Sequence, residues 1–125
     1  MRIMIFILCC IFITFCTNQK KISDAEMQAY ENQLKETVKA SEIELVRMKL
    51  DIEKLNEEIQ NEYSKKISEF ETQLNKAESD FNTFKNIENR DVWRMRKSKL
   101  DSLLGYLRLK MDTTKTNINQ FLAAQ

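Results

Sequence analysis

The sequence predicts an all-α protein of long helices with narrow apolar seams, and three observations predict it. Pro is absent and Gly105 is the only Gly among 125 residues, whereas a fold of many turns needs both for its punctuation. Beyond position 16 the apolar residues recur in steps of three and four, the interval that keeps them on one face of a helix. Charged residues make up 31% of the chain, too many to surround a globular interior and suited to helices that carry one buried stripe.

The same composition removes whole classes of chemistry. His is absent, and the only cysteines, Cys9, Cys10 and Cys16, all stand within the first sixteen residues. Downstream of them no disulfide, no His or Cys zinc site and no Ser-His or Cys-His nucleophile system can form. Carboxylate neighbours such as Glu57 and Glu58, or Glu42 and Glu44, fall on solvated helix faces with no pocket to shift their pKa values. The sequence therefore predicts no enzyme, no cofactor and no metal site. A formal net charge of +1 lacks the basic surplus that displaces counterions from phosphates, so no specific nucleic-acid partner is expected.

Residues 1–16 read as a leader. Met1-Arg2 supplies a short positive start, and Ile3 to Phe15 is apolar throughout except for Thr14. That length fits the roughly 7–15 residues of a signal-peptide core and falls short of the ~20 that cross a bilayer as a helix. An apolar run ending at Cys16 and followed by Thr17-Asn18-Gln19-Lys20-Lys21 resembles the leader of bacterial lipoproteins. The resemblance covers the leader alone and implies that Cys16 is the lipid attachment point and the first residue of the mature chain. Ile13 and Thr14 suit the family's pattern, whereas Phe15 stands where a small residue is usual. Two further readings stay open: cleavage after Cys16 that releases a soluble protein, and retention as an uncleaved anchor. All three export the chain, and the first places it at a cell-envelope membrane.

Residues 17–22 form a polar tether, and a helix is predicted from there. Ser23-Asp24-Ala25-Glu26 is a capping box, in which the Ser23 hydroxyl accepts from the Glu26 N–H and the Glu26 carboxylate reaches back to the Ser23 N–H. Ile22 and Met27 flank it at staple positions. Val38, Leu45, Ile52 and Ile59 then recur every seven residues, with Leu34, Ser41, Met48 and Leu55 at the alternate seam positions. The phase slips at Tyr63 and Ile67 and resumes through Phe70, Leu74, Ala77, Phe81 and Phe84. No breaker interrupts this span, so one helix is expected over residues 23–88, about 100 Å long.

A second helix is expected over residues 91–122, with its seam at Trp93, Lys97, Leu100, Leu104, Leu107, Met111, Thr114, Ile118 and Phe121. Between the two, Asn89 suits a left-handed helix end and Asp91 suits a cap. Folding back there pairs Phe81 with Leu100, Leu74 with Leu107 and Phe70 with Met111, each pair summing to 181 in residue number. The expected architecture is thus an antiparallel coiled-coil hairpin of a long and a shorter helix. Its alternative is one continuous helix in a parallel coiled coil, since nothing in Asn89-Arg90-Asp91 enforces a turn.

The hairpin leaves Leu34, Val38, Leu45, Met48, Ile52, Leu55 and Ile59 without an intrachain partner. A homodimer, or a partner helix, is expected to cover them, because each large apolar side chain left in water forfeits roughly 1.5–3 kcal/mol. The densest unusual feature is Arg90, Trp93, Arg94, Arg96, Lys97 and Lys99, a possible binding patch for an anionic surface or polymer, expected at a tip far from the membrane. The expected function is a non-catalytic, lipid-anchored structural spacer or assembly subunit of a bacterial envelope. The alternative is an envelope binding module or chaperone-like hairpin that works through the Trp93 region.

Overall fold

The computed structural model describes residues 21–125; the leader and Cys16 lie outside the described residues. Those residues form three helices, α1 (Asp24–Ile52), α2 (Glu57–Phe84) and α3 (Arg90–Ala123). They contain no strand beyond one isolated antiparallel bridge between Lys21 and Asn89. None of the helices is long and apolar enough to cross a membrane.

The first helix begins where the sequence places it. Ser23 accepts from the Glu26 N–H at 3.1 Å. The other half of the expected box is not made, because the Glu26 carboxylate is turned across the bundle to Arg94. The long helix of residues 23–88 is replaced by two helices. Its chain turns at residues 53–56, where the Lys54 N–H donates to Asp51 O at 3.2 Å and the Leu55 N–H to Ile52 O at 3.0 Å. Asn56 then caps α2 by accepting from the Ile59 N–H at 3.0 Å, and Glu57 and Glu58 place negative charge in the first turn, where the helix dipole favours it. Neither Gly nor Pro is needed, since no described residue adopts a positive φ. The same fact corrects the expectation for Asn89. It is not a left-handed helix end but the N-cap of α3, at φ −65° and ψ 115°, accepting from the Asp91 and Val92 N–H groups.

Contacts ascend together along α1 and α3: Tyr30 meets Asp101, Glu44 meets Lys115, and Lys54 meets Gln125. Along α2 they descend, with Lys49 paired to Glu71 and Tyr30 against Phe81 on the α1 side, and Tyr63 against Phe121 on the α3 side. The turn at 53–56 therefore folds the first part of the predicted seam back onto the chain. Leu34, Val38, Leu45, Met48, Ile52 and Leu55 are all buried and Ile59 is partly buried against them. The uncovered stripe that called for a second chain does not exist in this fold.

The core has two halves. One joins Leu45, Met48 and Ile52 to Tyr63, Ile67, Phe70, Leu107, Met111 and Ile118. The other, at the end where α1 begins, joins Ile22, Tyr30, Leu34 and Val38 to Ala77, Phe81, Phe84, Trp93 and Leu100. Tyr30, Phe81, Phe84 and Trp93 pack edge-to-face there with centroids 5.3–5.8 Å apart, an arrangement worth about 0.5–1.5 kcal/mol per pair beyond burial.

Candidate functional site

The chain enters the bundle beside the turn between α2 and α3. The Ile22 N–H donates to Glu88 O at 3.0 Å, and Lys21 is bridged to Asn89. The start of α1, the end of α2 and the start of α3 thus share one end of the molecule. The basic segment of α3 lies at that end, next to where the leader joins, and not at a remote tip. The other end, with the 53–56 turn, stands one helix length away, about 44 Å for the 29 residues of α1.

The six residues of the predicted patch separate into three kinds. Trp93 is 0% exposed and packs against Tyr30 and Phe84, so it is a core residue and cannot touch a ligand. Arg94 and Lys97 pin α3 to α1. The Arg94 guanidinium donates through Nε and Nη2 to both Glu26 carboxylate oxygens, at 3.1 and 3.2 Å, and this pairing raises its pKa. Lys97 donates to Asp101 at 2.9 Å and stands over the Tyr30 ring at 4.9 Å from its centroid. The Tyr30 hydroxyl donates to the other Asp101 oxygen at 2.9 Å. Burial first, and then this bond to a carboxylate, pushes the Tyr30 pKa well above its ordinary value.

Arg90 is half-buried beside Asp91. Only Arg96 and Lys99 are exposed and, among the described residues, without an ion-pair partner. The sequence run holds Val92 and Met95 beside them, but the predicted patch left both out. Val92 and Met95 are 38% and 48% exposed, and their spacing to Arg96 and Lys99 is i, i+3, i+4 and i+7, one helix face. That spacing was the available signal.

A groove of about 620 Å³ lies between α1 and α3, lined by Ala40, Ser41, Glu44, Gly105, Arg108 and Lys115 among others. Small residues on both walls leave it open. Its apolar floor is already covered, since Leu74, Leu107 and Met111 are at most 5% exposed, and the Glu44–Lys115 ion pair joins the two helices beside it. Among the described residues no group of three or more His, Cys, Asp or Glu side chains is arranged to hold a metal.

Comparison of the chain with protein-family models, with characterised proteins and with solved structures found no match.

Proposed function

We propose that the protein is a non-catalytic, exported helical module held to a cell-envelope membrane through lipid on Cys16, serving as a spacer or assembly subunit. The observation that carries this reading is the apolar run ending at Cys16, joined by a short polar tether to a bundle whose first residues, Lys21 and Ile22, are fastened to the α2–α3 turn. Within the bundle, α2 and α3 act as an antiparallel coiled-coil hairpin, and α1 completes it as a third strand of the coil. Support comes from the common clusters of Phe81 with Leu100 and of Leu74 with Leu107. A partner engages the outside of the bundle, because the seam of residues 34–59 is buried within the chain.

Mass spectrometry of the mature N-terminus from native membranes tests the anchor. A lipidated Cys16 is the expected result; an unmodified Thr17 terminus or an intact Met1 refutes it and favours the released or uncleaved form. Oxidation of a Phe81→Cys/Leu100→Cys chain tests the hairpin. It is expected to give an intrachain bond, and interchain products alone point to the continuous parallel helix. A second reading, a binding module for anionic partners, is favoured by the exposure of Arg96 and Lys99.

A further inference from the structure

We propose that the first turns of α3 are a docking face for an anionic bilayer, the bilayer that holds the lipid on Cys16. The inference rests on the anchored reading above and adds a second, electrostatic attachment to it.

Where the chain enters the fold sets the distance. Five residues lead from Cys16 to Lys21, and five residues span at most about 18 Å when fully extended. A membrane that holds Cys16 therefore lies within about 18 Å of Lys21, and Lys21 is bridged to the residue that caps α3. The opposite end of the bundle is out of reach, and the start of α3 is not.

What stands there suits a headgroup boundary. Val92, Met95, Arg96 and Lys99 form one face in which exposed apolar side chains alternate with cations. Further along the same side, Tyr106 is 57% exposed and carries the Lys110 ammonium 4.6 Å from its ring centroid. Helices of this kind lie in the interface, the apolar groups entering the acyl boundary and the cations meeting lipid phosphates. Two of the carboxylates of α3 are directed elsewhere. Asp101 serves Tyr30 and Lys97, and Asp112 lines the groove toward α1. Asp91 sits in the first turn against Arg90.

The overall charge of +1 gives no long-range attraction, and screening confines the field of a local patch to about 8–10 Å. Docking by this face thus works only on a bundle that is already held close, which the short tether does.

The test uses the protein as purified from membranes, in which an acylated Cys16 takes no thiol label, reconstituted with vesicles of phosphatidylcholine alone or mixed with phosphatidylglycerol. An environment-sensitive fluorophore is placed at Met95→Cys or, as the far-end control, at Lys54→Cys, and flotation is measured in parallel. Flotation with both vesicles, with the Met95 probe shielded by the anionic ones alone and the Lys54 probe wet in both, is the expected result. Arg96→Gln/Lys99→Gln should then weaken the shielded state roughly fivefold per charge while flotation persists. Flotation with both vesicles and a wet Met95 probe throughout overturns the docking face and leaves the anchor standing. Flotation with anionic vesicles only supports the face and overturns the anchor, and flotation with neither overturns both. Binding of the probe region to heparin with no shielding on vesicles also overturns the proposal, in favour of a soluble polyanion.

Discussion

Trp93 shows how little a residue type says about its role until its neighbours are known. The sequence places it both in the apolar seam of the second helix and beside five cations; in the fold the seam position holds, and Trp93 closes the aromatic cluster of Tyr30, Phe81 and Phe84. Its indole Nε1 and the neighbouring Arg90 Nε are both buried without an acceptor, each a cost on the order of 1–3 kcal/mol that packing must offset. Trp93→Ala is therefore expected to destabilise the bundle by about 3–5 kcal/mol, and Trp93→Phe by much less, since it removes the unpaired N–H along with part of the ring. Denaturant unfolding followed by circular dichroism measures both. A loss under about 1 kcal/mol for Trp93→Ala would contradict the core placement. Tyr30 carries a pH signature. Its pKa is raised in the folded state above the ordinary 10.0, so its contribution is complete below pH 10 and declines as pH rises from there toward the folded value. Wild-type stability should fall as pH rises above about 10, and the fall should be shallower in Tyr30→Phe, which loses roughly 1–3 kcal/mol at neutral pH with the bond to the Asp101 carboxylate. Equal slopes in the two proteins would count against this assignment.

Among the elements, α1 started where its Ser23 cap said and α3 within a residue or two of the expected position. The turn at 53–56 went unread for a physical reason. Ile52 and Ile59 are seven residues apart, so the heptad count runs through the turn as though it were helix. No residue there needs a left-handed conformation, and the turn therefore leaves no Gly or Pro behind. The signal that was present is Asn56 followed by Glu57 and Glu58, a cap with first-turn acids. Asn56→Ala should cost about 1 kcal/mol, and hydrogen exchange should report it as faster opening of the first turn of α2. In α3, Gly105 has the opposite character. A Cβ built there meets no heavy atom within 4 Å, and the residue is inside a helix without a positive φ. Gly105→Ala should stabilise the protein by about 0.5–1 kcal/mol, read as a higher melting temperature. A lower one would mean that the groove needs the Gly for close approach of a partner.

At the scale of the molecule, the expected rod of about 100 Å becomes a bundle whose longest helix, 34 residues, measures about 51 Å. The fold is about half as long as the sequence suggested, and its basic segment stands at the end where Lys21 enters the bundle. Paired thiols at Glu44→Cys and Lys115→Cys, which replace an ion pair between α1 and α3, should be joined within one chain by a short crosslinker. In one continuous helix those positions are 71 residues apart, on the order of 100 Å, and only interchain products form.

Helical content, the polar outer faces and nearly every buried position were determined by the sequence alone, because a 3.6-residue period with no Pro and one Gly admits few other answers. Val38, Leu45, Met48, Ile67, Leu74 and Ile118 are core by periodicity and core by burial. What covers them was not determined, since an apolar stripe is stabilised equally by its own chain and by another. The choice lies in four residues at 53–56, whose conformations any side chain can adopt. It is made by the burial gained when α1 folds back, a sum over contacts between positions some 20 to 70 residues apart that no local window contains. That same fold-back brings Lys21 to the α2–α3 turn, so which surface lies beside the point where the chain enters the bundle is a property of the tertiary structure.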